Sequence, residues 1–66
     1  MKINLNGKET EIPDGSTVSD LLAKYGLDSK PVIAELNGSI IKGEHCRQAR
    51  LKQGDMLEIV RLVGGG

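Results

Sequence analysis

Ile3 and Leu5 are interleaved with Lys2, Asn4 and Asn6, and an apolar period of two predicts a strand with one face buried. Asn6-Gly7 follows. A type I′ turn needs positive φ at both central residues, which this dipeptide tolerates best, so a hairpin is expected. The chain returns as a second strand around Thr10-Glu11-Ile12, and Pro13-Asp14-Gly15 then turns it, proline presetting φ and glycine accepting a left-handed conformation. From here the period changes. Val18, Leu21, Leu22 and Tyr25 fall at i, i+3, i+4 and i+7, the apolar stripe of a helix. Thr17 with Asp20 is a capping-box variant at its start, with Ser16 as an alternative cap. Gly26 supplies the C′ stop, and Leu27 packs back over the last turn. A helix of roughly two to three turns does not stand alone, so it must lie on a sheet.

Pro31 to Leu36 reads as a third strand, Asn37-Gly38 as a second hairpin turn and Ser39-Ile40-Ile41 as a short fourth strand. Lys42 to Gln53 is polar and irregular, anchored by Leu51; Gln53-Gly54-Asp55 is a turn, and Met56 to Val63 is the last strand. The order β-β-α-β-β-β predicts an α+β domain with one helix on one face of the sheet. With the first and last strands side by side and parallel, four to five strands form a mixed sheet around one main helix, which is the β-grasp, or ubiquitin-like, architecture. The expected core is Ile3, Leu5, Val18, Leu22, Val32, Ala34, Leu36, Leu57 and Ile59. Alternation places Leu57 and Ile59 on the core face of the last strand and Glu58, Val60 and Leu62 on the other. Two branched apolar residues that face outward and lead to the end of the chain read as a partner-docking patch, Val60 and Leu62.

Composition narrows the function. Sixty-six residues make one domain with one small core and no walled cleft of the usual size, which argues against a self-sufficient enzyme. Nine basic residues balance nine acidic ones, so no net field attracts nucleic acid or an anionic membrane, and neither is an expected partner. Tyr25 is the single residue of the Phe, Tyr, Trp class, and base-stacking platforms are missing. A single cysteine, Cys46, excludes an internal disulfide framework and suggests a reducing compartment. Met1-Lys2-Ile3-Asn4 shows no apolar signal segment, and the apolar runs are too short for a bilayer. A soluble, cytoplasmic domain, monomeric when free, is expected.

Gly64-Gly65-Gly66 closes the sequence. Residues 1–63 read as the single domain and 64–66 as a flexible glycine tail. Three residues without Cβ atoms make a thin tail able to thread a narrow channel and present a carboxylate to another enzyme's active site.

The ordered set is what carries a resemblance. It runs Ile3-Asn4-Leu5-Asn6-Gly7, Ile12-Pro13-Asp14-Gly15-Ser16-Thr17-Val18 with Leu21-Leu22, and Val32 to Ile41 through Asn37-Gly38. Then come Leu51-Lys52-Gln53-Gly54-Asp55 and Glu58 to Gly66. From end to end this resembles the ThiS family of ubiquitin-like sulfur carriers of bacterial thiamin biosynthesis. The resemblance implies a carrier acted on by other enzymes, with no bound cofactor or metal of its own. A ThiF-type adenylating enzyme would use ATP to activate the Gly66 carboxylate, and sulfur from a cysteine desulfurase or sulfurtransferase would convert it to a thiocarboxylate. A ThiG-type thiazole synthase would accept the sulfur. Gly66 is then the site of covalent sulfur attachment, and Gly64 and Gly65 complete the tail. The short length favours this carrier over the molybdopterin synthase small subunit. Carriers for cysteine or methionine synthesis share the pattern, and a non-covalent ubiquitin-like binding module is the rival class.

Other reactive residues have plainer explanations. His45 and Cys46 are adjacent, and adjacent residues do not face each other in a helix or strand, so they form no catalytic dyad. Cys46 reads as a semi-buried packing residue, standing where family members often have an aromatic, and His45 as a solvated loop residue. Asp14, Asp20 and Asp55 sit at turn or cap positions. Lys8, Glu9 and Glu11 read as a solvated face.

Overall fold

The computed structural model describes residues 1–62. Val63 and the glycine tail, with the expected attachment site Gly66 and tail positions Gly64 and Gly65, lie outside the described residues. Five strands, β1 (Lys2–Leu5), β2 (Lys8–Glu11), β3 (Val32–Leu36), β4 (Ser39–Ile41) and β5 (Met56–Arg61), form a single sheet in the order β2-β1-β5-β3-β4. The helix α1 (Val18–Lys24) and a 3-10 turn over Gly43–His45 complete the elements of the described residues. β1 and β5 are parallel neighbours and every other pair is antiparallel. This is the β-grasp arrangement expected from the sequence.

Both hairpins form on their asparagine-glycine pairs. Asn6 and Gly7 have φ of 51° and 82°, and Asn37 and Gly38 have 51° and 87°, the double positive φ of a type I′ turn. Each asparagine also reaches the central strand. Asn6 Oδ1 accepts the Ile59 N–H at 2.7 Å, and Asn37 Oδ1 accepts the Met56 N–H at 2.9 Å. The two turns thus supply acceptors to β5 as well as reversing the chain. Asn37 Nδ2 donates to Asp55 Oδ1 at 3.0 Å, and Asp55 Oδ2 accepts from the Lys52 N–H at 2.7 Å, so the buried carboxylate is satisfied on both oxygens.

α1 begins and ends on side chains and backbone that the sequence marks. Thr17 Oγ1 accepts from the Asp20 N–H at 3.1 Å while Asp20 Oδ2 accepts from the Thr17 N–H at 2.9 Å, a reciprocal capping box. Two further amides of the first turn go to the 46–49 segment: Val18 N–H to the Ala49 carbonyl and Ser19 N–H to the Cys46 carbonyl, each at 3.0 Å. At the other end Gly26 takes φ of 70°. Its N–H donates to the Ala23 carbonyl at 3.1 Å, and the Leu27 N–H donates to the Leu22 carbonyl at 2.7 Å, the paired bonds of a Schellman stop.

The core joins Ile3, Val18, Leu21, Leu22, Ala34 and Leu57 from the regular elements to Ile12, Cys46 and Leu51 from the connections. Leu5, Val32, Leu36 and Ile59 are half-buried against it. Several expectations need correction. Ile12 lies beyond β2, yet it is buried because its N–H is held by the Met1 carbonyl at 2.8 Å. Pro31 precedes β3 and Leu62 follows β5, although the Leu62 N–H still donates to the Pro31 carbonyl at 2.8 Å. Tyr25 does not continue the helical stripe into the core. It is the C-cap residue, with φ −96° and ψ 9°, and it is 47% exposed.

Two outcomes follow. Leu22→Ala removes a buried side chain and is expected to cost about 2–5 kcal/mol, whereas Tyr25→Ala stays within about 1 kcal/mol of the parent in urea unfolding. Equal losses would return Tyr25 to the core. For the turn, Asn6→Gly keeps positive φ but loses the bond to Ile59 and should cost about 0.5–1.5 kcal/mol. Asn6→Ala adds left-handed backbone strain of roughly 1–2 kcal/mol. Identical unfolding midpoints for the two variants would remove backbone strain from the account.

Candidate functional site

β5 positions the candidate site because it runs through the middle of the sheet with different chemistry on its two faces. Leu57 is fully buried beneath α1 and Ile59 is half-buried, and Arg61 continues that face by alternation. On the opposite face Met56, Glu58, Val60 and Leu62 are exposed, Val60 at 50% and Leu62 at 47%. α1 covers only the first of these faces, so the second is open.

Strand register extends the open patch beyond the two residues that alternation in β5 alone suggests. Ile33 lies directly opposite Val60, Glu35 opposite Glu58, and Ile40 opposite Glu35. Residues directly opposite in an antiparallel pair share a face. Ile33, Ile40, Met56, Val60 and Leu62 therefore form one apolar surface, with Glu35 and Glu58 side by side within it. The sequence carries a signal for the added members: once Asn37-Gly38 fixes the hairpin, Ile40 pairs with Glu35 and shares parity with Ile33. Lys2, Asn4, Glu9 and Glu11 continue this face across β1 and β2, because Ile3 between them points into the core. Lys8 does not belong with Glu9 and Glu11, as a single solvated face would require. It pairs with Leu5 and lies on the helix side.

β5 also overshoots its parallel partner. β1 pairs with it only at Asn4↔Met56 and Leu5↔Leu57, and the Asn6 side chain holds Ile59 just beyond. From Val60 onward β5 has β3 alone as a strand neighbour, at Ile33↔Val60 and Val32↔Arg61. The last residues of β5, Val60 and Arg61, thus lie beyond its pairing with β1.

The remaining candidates separate from this region. Cys46 is 4% exposed and in the core, more deeply buried than a semi-buried residue. Its Sγ donates to the Lys42 carbonyl at 3.6 Å, and burial pushes the thiol pKa up. His45 is exposed in the 3-10 turn. The two side chains occupy different environments and form no dyad. Asp20 is occupied in the capping box, Asp55 with Asn37 and Lys52, and Asp14 with the N-terminal ammonium at 3.2 Å. Among the described residues no group of three or more acidic, histidine or cysteine side chains is placed to hold a metal ion, and no helix is long and apolar enough to cross a membrane.

Comparison with known proteins gives the same picture along the whole chain. The ThiS family model matches residues 3–66. The chain is 45% identical over 65 residues to the sulfur carrier protein ThiS of Bacillus subtilis, covering 97% of this chain and 98% of that protein. It is 39% identical over 66 residues to a thiazole synthase of Paramagnetospirillum magneticum, a match that takes in 100% of this chain and 20% of that protein. A crystal structure of the thiamine biosynthesis protein ThiS from Geobacter metallireducens superposes with a TM-score of 0.83 at 29% identity, over 100% of both chains. The chain belongs to the ThiS family, and its five-stranded sheet and single helix are the β-grasp fold of that family.

Proposed function

We propose that this chain carries sulfur for thiamin biosynthesis as a thiocarboxylate on Gly66. Family membership combined with a sequence that closes in Gly64-Gly65-Gly66 after β5 carries this reading. A carboxylate is a poor electrophile until one oxygen becomes part of a leaving group. In the proposed sequence a ThiF-type adenylating enzyme joins the Gly66 carboxylate to the α-phosphate of ATP and releases pyrophosphate. The terminal sulfur of a persulfide from a cysteine desulfurase or sulfurtransferase then attacks the acyl carbon and AMP leaves. A thiol opens the resulting acyl disulfide, and the thiocarboxylate remains on the carrier.

Each step needs donors and reactants at contact distance from one carbon atom. A Cβ at residue 65 or 66 would occupy that space, whereas glycine leaves it to the enzyme. The folded body then serves as the docking surface, and Val60 and Leu62 on the open face lie next to the tail in sequence. The acceptor proposed is a ThiG-type thiazole synthase. The match of this whole chain to one fifth of a protein named thiazole synthase supports that pairing, since there a carrier-like segment is part of a chain that bears the name. The carrier itself acts as a protein co-substrate, with ATP used by the adenylating enzyme, in the cytoplasm.

Incubation with adenylating enzyme, ATP, cysteine, desulfurase and a thiol reductant is expected to replace one oxygen by sulfur in the intact mass, localised to the C-terminal peptide. Deleting Gly66 leaves folding intact and abolishes the change. Cys46→Ala retains it, because the sulfur is not stored on the thiol. The buried, raised-pKa thiol of the parent should also alkylate more slowly at pH about 8 than in the urea-unfolded chain, where the cysteine pKa returns to about 8.5. Sulfur on Cys46 with an unchanged terminus would defeat the carrier reading.

Docking is tested separately. Replacing Val60 and Leu62 by Ser is expected to weaken binding to the adenylating enzyme by about tenfold or more while the unfolding transition is preserved. Unchanged affinity would make these residues ordinary exposed apolar side chains.

A further inference from the structure

On the helix side of the sheet, away from the open face, a groove of about 470 Å³ runs between the β1–β2 hairpin, β5 and the end of α1. Leu5, Leu27 and Ile59 are its apolar residues, Tyr25 its aromatic one, and Lys8 and Arg61 its charged ones. Among the described residues no carboxylate lines it. The ion pairs formed among the described residues are Met1–Asp14 and Lys2–Glu9, so both cations of the groove are free of partners there.

Three observations point to a protein segment as the occupant. First, Tyr25 is half exposed next to half-buried apolar residues, which is contact area already organised on a folded frame. Its ring is flanked by the Lys24 ammonium, 5.9 Å from the centroid. Tyrosine and arginine beside an apolar floor are the composition of energetically important interface residues. Second, charge divides between the two sides of the sheet. Of the charged strand residues, Glu9, Glu11, Glu35 and Glu58 lie on the open side with Lys2, which pairs with Glu9, and Lys8 and Arg61 lie on the groove side. A chain with zero net charge thus presents a basic groove on one side and an acidic, apolar face on the other. Third, Ile59 and Val60 are consecutive residues of β5 that face opposite ways, so occupation of the groove leaves the open face free.

We propose that this groove is a second docking site, which takes a partner-protein segment presenting apolar side chains flanked by carboxylates. The apolar side chains lie over Leu5, Leu27 and Ile59 against the Tyr25 ring, and the carboxylates meet Lys8 and Arg61. The site stands independently of the sulfur-carrier reading. If both hold, one partner grips the carrier through the groove while another uses the open face.

The probe is an acetylated, amidated peptide, Asp-Asp-Leu-Phe-Asp-Asp, titrated into the isotope-labelled full chain and followed by proton–nitrogen correlation NMR. Two control peptides replace every Asp by Lys, or Leu-Phe by Gly-Gly. The first peptide is expected to shift the amides of Leu5, Lys8, Leu27, Ile59 and Arg61, and the controls are not. Paired charge reversal, Lys8→Glu with Arg61→Glu, should weaken binding by about tenfold or more. If that variant does not fold, Arg61→Gln and Tyr25→Ala, both at exposed positions, provide the same comparison. The Val60→Ser, Leu62→Ser variant should bind the peptide as the parent does, which separates this site from the open face. Absence of shifts in the groove, equal shifts with either control, or shifts confined to Ile33, Glu35 and Ile40 would overturn the proposal.

Discussion

The return of β5 to the side of β1 is the constraint on which the structure depends. The two strands lie more than fifty residues apart in the chain and make only a short parallel pairing. Loop-closure entropy opposes such a contact, so it needs reinforcement. Backbone bonds supply part: the Asn4 N–H reaches the Asp55 carbonyl at 2.8 Å and the Asn6 N–H reaches the Leu57 carbonyl at 2.9 Å. The two hairpin asparagines add to this from opposite sides of β5, Asn6 at Ile59 and Asn37 at Met56. Leu57, fully buried between them in sequence, is thereby fixed in register under α1. A slip of one residue would place Glu58 in the core and Leu57 outside.

The sequence was most legible where the physical cause is local. Asn-Gly turns, the Thr17–Asp20 box and the Gly26 stop depend on a few neighbouring residues, and each forms as its chemistry requires. Tyr25 shows where periodicity fails. It satisfies i+7 spacing, but Gly26 ends the helix at once, the Tyr25 backbone leaves helical geometry, and the ring turns outward. Ile12, Cys46 and Leu51 show the converse. They lie outside regular elements, and tertiary bonds bury them. Of these the most telling is the Cys46 carbonyl at the first turn of α1, which brings an irregular segment against the helix. No period-two or period-3.6 pattern carries that information. The open face was half legible: alternation identified Val60 and Leu62, but Ile33, Ile40 and Met56 joined them only through cross-strand register.

Size explains why the proposed reactivity at Gly66 suits this architecture. A domain of this length spends its apolar residues on a single core, and its cysteine is part of that core, pushed toward the unreactive thiol form. His45 stands in solvent without a nucleophile beside it. Under the proposed function, chemistry at Gly66 avoids carving an interior site out of a small core and leaves the pocket to the adenylating enzyme. The same division places the demand for recognition on the surface of the domain, where a sheet with only one face covered offers a ready apolar area.

That surface has two sides, and β5 connects them. Its alternation gives one side Leu57, Ile59 and Arg61 and the other Met56, Glu58, Val60 and Leu62. Past Asn6 the strand is no longer flanked by β1, so residues of both sides become accessible near the exit of the chain. Under the proposed function, a carrier passed between enzymes has to be held and released repeatedly. If every partner used the same apolar face, each transfer would require complete dissociation before the next enzyme could bind. A basic groove behind an acidic, apolar face removes that requirement, because segments of opposite charge can be held on opposite sides of one strand. The sequence encodes this with little material: a single β-strand that alternates strictly and places an arginine on the side opposite its glutamate.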